Sequence, residues 1–188
     1  MLVGDLHAKA TELGAETDGL VPVSKAAEKA KVPAITVVHM ILGGFLKRVV
    51  RLTGEDGITA LRVDTAEVKH HAVACTTGLS PMEAFGALKI PKDTGWGLVD
   101  RCPEDVSLAV DWIVGPSGGH RIPRFDPATV AEFKGRFTHP ARLAEQHDLQ
   151  IGEVVRRLKR HRVRPALSGA EVGIDFYRVS DLKGDILS

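Results

Sequence analysis

The densest chemistry in this sequence is cationic. In the run IGEVVRRLKRHR, residues 151–162, Arg156, Arg157, Lys159, Arg160 and Arg162 place five positive charges in seven positions with no carboxylate between them. Helical spacing gathers Ile151, Val154, Val155 and Leu158 into an inward stripe, so the cations crowd the remaining surface. Long cationic side chains on an outward helix face can bond phosphates and base edges, whereas left unpaired they repel one another. The run therefore points to DNA or another polyanion. Arg164 and Arg178, with Tyr177 beside the latter, lie in the hairpin signals that follow and would add phosphate contacts. Lys47, Arg48 and Arg51 form a thinner cationic set far upstream.

Other chemistry is incomplete. His70, His71 and Cys75 are close in sequence, but persuasive metal spacings come in pairs and no second pair follows. The turn GPSGG lacks the lysine and helix context of a phosphate cradle. No nucleophile and base are marked by a motif. The expectation is a protein that is not an enzyme, with no metal and no cofactor.

The elements that must hold the cationic run recur along the chain. The 188 residues carry a formal net charge of +1, 44% hydrophobic residues and only 5% aromatics, which suits small modules with aliphatic cores. One order of signals appears three times: helix, turn breaker, helix, hairpin, capped closing helix. In the first, Val23, Ala26, Ala27 and Ala30 fall at helical spacing, Val32-Pro33 interrupts, a second helix spans 34–42, and KRVVRL, TGEDG and ITALRV make a hairpin. Asp64 caps a short helix through Val68. In the second, Ser80-Pro81 opens a helix, Ile90-Pro91 interrupts, GPSGG turns the hairpin, and Asp126-Pro127 starts the closing helix. In the third, Thr138 takes the place of Ser80, the cationic run is the second helix, SGAEVG turns the hairpin, and Ser180 is the last cap.

The fold expected is mainly α with small β-hairpins (α+β), as three tandem winged helix-turn-helix units. They span 19–71, 78–134 and 137–187, with boundaries near 70–77 and 134–137. Residues 1–18 form a leading helix on Leu2, Leu6, Ala10 and Leu13.

Residues 32–46 resemble the helix-turn-helix of excisionase and MerR-like winged proteins through Thr36-Val37, Met40-Ile41, Gly44 and Leu46. HRVRPAL followed by FYRVSDL is similar to the carboxyl-terminal repeats of TniQ-family transposition proteins. That resemblance spans roughly 20–187, lacks the family's zinc-binding amino-terminal domain, and implies a carboxyl-terminal fragment or truncated relative that helps direct a transposase. By the family pattern the outward positions of the first recognition helix are Ala34, Ile35, Val38, His39, Leu42 and Gly43, a surface suited to packing. Gly95 and Gly97 flank Trp96 and would shorten or bend the second.

The function expected is a DNA-binding targeting or regulatory module with the third unit as reader. The rival is a protein-interaction scaffold whose units no longer bind DNA. Double-stranded DNA is the expected partner, with a protein partner or self-association through the first two units. No apolar run reaches membrane-spanning length. Two cysteines and no leader suggest the cytoplasm, at the nucleoid if DNA is bound.

Overall fold

A computed structural model describes residues 2–13, 19–182 and 186–187. The described chain is α+β, about 52% helical, with small sheets. It divides into two compact units, Met1–Thr77 with Trp112–Arg124, and Gly78–Asp111 with Phe125–Ser188. The expected second hairpin thus belongs to the first unit, and the expected second and third repeats otherwise share one compact body.

In the first unit α1 (Leu2–Ala8) is followed by β1 (Thr11–Leu13), β2 (Val21–Pro22), α2 (Val23–Ala30), α3 (Ala34–Gly43), β3 (Val49–Leu52), β4 (Leu61–Val63) and α4 (Thr65–Thr76). The strands form a sheet in the order β1-β3-β4-β2. β3 and β4 run antiparallel, with Val49 opposite Val63, while β1 joins β3 in parallel. The leading helix is therefore shorter than expected. Leu6 is buried in the core, but Ala10 lies beyond the helix and Leu13 falls in a strand; 14–18 lie outside the described residues.

α4 is the second departure. Asp64 caps it through Ala66 N at 2.7 Å, yet it runs twelve residues and takes in His70, His71 and Cys75, expected to be a joint. Only Val68 and Cys75 are buried along it, so there was no apolar stripe to betray its length.

The other unit contains α5 (Pro81–Leu88), α6 (Lys92–Asp100), α7 (Pro127–Arg136), β7 (Phe137–Thr138), α8 (Pro140–His147), α9 (Ile151–Arg160), α10 (Gly169–Val172) and β8 (Tyr177–Arg178). The paired strands β5 (Asp111–Val114) and β6 (Arg121–Arg124) intervene between α6 and α7. Ser80 and Glu83 form a full capping box, and Asp126 accepts from Ala128 N at 3.2 Å.

Three expectations fail in this region. Thr138 is not a cap: it is buried in β7 opposite Tyr177, and His139 precedes the helix instead, ahead of Pro140. SGAEVG is not a simple turn, because Ser168 and Glu171 make a capping box that winds it into α10. Leu167 and Phe176 then meet only in an isolated bridge, so no two-stranded wing forms there. Ser180 sits inside a 3-10 turn, Val179–Asp181, that begins after Arg178.

Three helical pairs share one backbone turn. α2, α5 and α8 end at Lys31, Lys89 and Asp148, all left-handed with φ of 55°, 57° and 53°. The next residue's N–H donates to a carbonyl five residues back: Val32 to Ala27, Ile90 to Phe85, Leu149 to Ala144. The second helix then begins three residues after the left-handed one, at Ala34, Lys92 and Ile151. This common origin gives α3, α6 and α9 one register, in which His39, Gly97 and Arg156 correspond, as do Gly43, Arg101 and Arg160.

Candidate nucleic-acid interface

The register shows what each second helix faces. On α3, the turn between β5 and β6 lies against the last helical turn. The Ser117 N–H donates to the Gly43 carbonyl at 3.0 Å and the Ser117 hydroxyl donates to the Leu42 carbonyl at 3.2 Å. Two of the helix's unpaired terminal carbonyls are satisfied in this way. Close approach requires small residues here, since a Cβ on Gly115 would collide with the Gly43 carbonyl oxygen. His39 and His120 stack with ring centroids 5.0 Å apart and share an Nδ1···Nε2 hydrogen bond of 2.7 Å. Burial lowers both pKa values, and the charge of Arg124 adds to the effect on His39. Val38, Leu42 and Gly43 are buried; only Ala34 and Ile35 of the outward set are exposed.

α6 is closed by the segment around α10. It runs unbroken over nine residues, so the glycines that flank Trp96 do not end it. A Cβ on Gly95 would fall within the Phe85 ring, and one on Gly97 would lie 3.3 Å from Val172 Cα. The glycines are sites of close packing, and Trp96 is half-buried edge-on to Phe85 with centroids 5.6 Å apart. Arg101 donates to the Glu171 carbonyl at 3.4 Å.

α9 packs on α8 through Val154 and Leu158, in a small cluster with Leu143, Ala144, Tyr177 and Leu187. Its outward register positions are Arg156 and Arg160, flanked by Lys159, and all three are exposed. Ile151 is exposed rather than inward, at 53%. Gly152 has open space where a Cβ would stand. The cations nearest the helix end also suit the partial negative charge there.

One carboxylate enters this set. Glu153 accepts from Arg157 Nε at 2.8 Å and pairs with Arg156 Nη2 at 2.8 Å. Those contacts hold its own carboxyl below the usual range, the Arg157 hydrogen bond contributing most. Arg157 is drawn down to 22% side-chain exposure, while Arg156 keeps 74%. The i,i+3 and i,i+4 spacing of Glu153 is the sequence signal for this pairing, and it lies just outside the 156–162 run that drew attention to the cations.

The remaining cations disperse. Arg162 follows the helix with φ of 55° and is exposed, as is Arg164. Arg178 donates to Asp105 Oδ2 at 3.2 Å and lies over the Phe137 ring, and Tyr177 beside it is a core residue, not a surface contact. In the first unit, the Lys47 and Arg48 backbone N–H groups both donate to Glu67 Oε2, Arg48 pairs with Asp64 at 3.5 Å, and Arg51 is half-buried. Arg156, Lys159, Arg160, Arg162 and Arg164 are the exposed cations of the 156–164 stretch.

Among the described residues no group of three or more His, Cys, Asp or Glu is placed to hold a metal, and no helix is long and apolar enough to cross a membrane. His71 meets the Phe45 ring at a tilt, with centroids 5.5 Å apart, and Cys75 is buried. No protein-family model matches the chain, and no curated protein or solved structure matches it significantly.

Proposed function

We propose that the chain is a series of three helix-turn-helix pairs, α2–α3, α5–α6 and α8–α9, in which the third binds duplex DNA through α9. One observation carries this reading: the face covered on α3 and α6 by a following segment is, in the same register on α9, exposed and cationic. A helix enters the major groove only where its outward face is free and carries side chains long enough to bond bases and phosphates. α3 offers buried Val38, Leu42 and Gly43 at those positions, and α6 offers Gly97, so the first two helical pairs serve as scaffold. The process suggested by the TniQ-like and excisionase-like resemblance is target selection in transposition or a related regulatory step.

The test is anisotropy of a labelled duplex titrated at several salt concentrations. Arg156→Ala with Arg160→Ala should weaken binding at least about tenfold and flatten the slope of log affinity against log salt by about one unit for each phosphate no longer neutralised. Both side chains are exposed, so the fold should change by no more than about 0.5 kcal/mol. Unchanged affinity and slope would overturn the assignment.

A groove in the first unit supports the protein-scaffold reading. A cavity of about 470 Å³ is lined by Val23, Ile35, Val38 and Ile58, together with the polar Glu55 and Arg62. A chain that binds no duplex at low salt would shift the assignment to this groove.

A further inference from the structure

The segments that close helices are displaced by one place along the chain. The 115–120 turn, which follows the second helical pair, closes α3 of the first; the 168–173 segment, which follows the third pair, closes α6 of the second. Among the described residues this offset leaves one turn with no earlier helical pair to close, at 53–57 between β3 and β4, where the Gly57 carbonyl accepts from His7 Nε2 of α1 at 3.1 Å, and one second helix, α9, with no such closing segment.

The two leftover surfaces are opposite in charge. Thr53, Gly54, Glu55 and Asp56 are all exposed at the turn, and Glu55 and Asp56 make it acidic. Arg156, Lys159 and Arg160 make the α9 face basic. The turn also has the small residues that the other two closures use. Gly54 and Gly57 have φ of 85° and 70° with open space around them, whereas Gly115 and Gly173 in the closures already have close partners. Arg101 gives the register a precedent: at the place corresponding to Arg160 it already bonds the carbonyl of a covering segment.

We propose that the acidic 53–57 turn of one copy of this chain docks on the α9 face of another, closing that face when no nucleic acid occupies it. The proposal rests on the reading that α9 receives anions, and it adds a regulator: a second copy competes with DNA for the same cations. The contact is heterologous, with different surfaces meeting, so one copy of the pair retains a free α9 face and the other a free turn. Exposed ion pairs are individually weak and screened by salt, so association should be weak and salt-sensitive. Glu55 divides its charge with Arg62 at 3.3 Å, which leaves Asp56 as the freer acid.

Sedimentation equilibrium of the full chain at low and high salt tests this. Average mass should rise with concentration at low salt and fall to the monomer at high salt. Asp56→Lys should weaken association at least about tenfold while duplex binding is retained, and Arg160→Glu should weaken both. Mixing the two variants brings opposite charges back together and should restore association. Asp56→Asn, a milder change, should give an intermediate loss and serves if the lysine variant does not fold. A monomer at every concentration, or association unmoved by both Asp56 variants, overturns the proposal. Duplex binding by a chain that stays monomeric would leave the functional reading intact; self-association without duplex binding would remove only that reading.

Discussion

α3 and α9 leave the same left-handed turn in the same register, and they end in opposite surroundings. Along α3 the register positions are His39 and Gly43, met by His120 and Ser117 across a contact that tolerates no Cβ on Gly115. Along α9 they are Arg156 and Arg160, turned to solvent. The backbone motif therefore fixes where a helix points, while side-chain size at two positions fixes whether it packs or remains free. α6 lies on the packed side, with Gly97 under Val172 and Arg101 bonded to a backbone carbonyl.

The largest expected effects separate the packed helices from the free one by adding a methyl group. Gly95→Ala forces a Cβ into the ring of buried Phe85, and Gly115→Ala forces one into the Gly43 backbone. Each should destabilise by about 1–3 kcal/mol, as overpacking does. In α9, Gly152→Ala meets nothing and replaces a poor helix former, so it should be neutral or stabilise by up to about 1 kcal/mol. Thermal melts of the three variants check this. Equal responses at Gly95 and Gly152 would erase the distinction between closed and open helices.

Smaller and conditional is the response to pH. His39, His120 and His139 all have pKa values lowered, chiefly by burial. His139 Nε2 donates to the Leu88 carbonyl at 3.1 Å, a bond that raises its pKa against that trend. In the unfolded chain these imidazoles take up protons near their ordinary 6.5, whereas in the fold they remain neutral to lower pH. Proton uptake by the unfolded state means stability is full above about pH 6.5 and declines as pH falls towards the depressed folded values. Melting temperature should drop between about pH 7.5 and 5. In the stacked pair the His39–His120 hydrogen bond needs an unprotonated ring nitrogen, so the α3 closure should share in this loss. His139→Gln, which keeps a donor for Leu88, should flatten the profile; an unchanged profile would exclude His139 from it.

How much of this could be read from residue order depended on range. Pro33 and Pro91 marked two of the three helix starts, and Asp64, Ser80 and Asp126 occupy caps because their side chains accept nearby N–H groups. The left-handed Lys31, Lys89 and Asp148 carried no such mark, since glycine is the usual signal for that conformation. The closures were not legible at all: Ser117 meets Gly43, and Val172 meets Gly97, across more than seventy residues, and nothing local encodes which turn reaches which helix. The same gap turned glycines of close packing into apparent helix breakers. Of the interface, the exposed cations at 156, 159 and 160 were legible from helical period, whereas Arg178 and Tyr177 were taken by Asp105 and the core.

The smallest expected effect refines the open side of the comparison. Glu153 corresponds in register to Thr36 and Thr94, which are buried in the two closed helices, and it binds Arg156 and Arg157 at 2.8 Å each. A phosphate that approaches either guanidinium must displace or share this carboxylate. Glu153→Gln removes the negative charge but keeps a polar side chain of the same size on a helix whose Val154 and Leu158 anchors are untouched. Melting temperature should move little, because ion pairs at the surface contribute little to stability. Duplex affinity should rise by about two- to fivefold at low salt, an effect the size of one weak ion pair, and the gain should vanish as salt screens it. Glu153→Ala should give the same gain. A drop in affinity in both variants would mean instead that the carboxylate holds Arg156 and Arg157 in the bound geometry, making Glu153 a positioning residue of the interface.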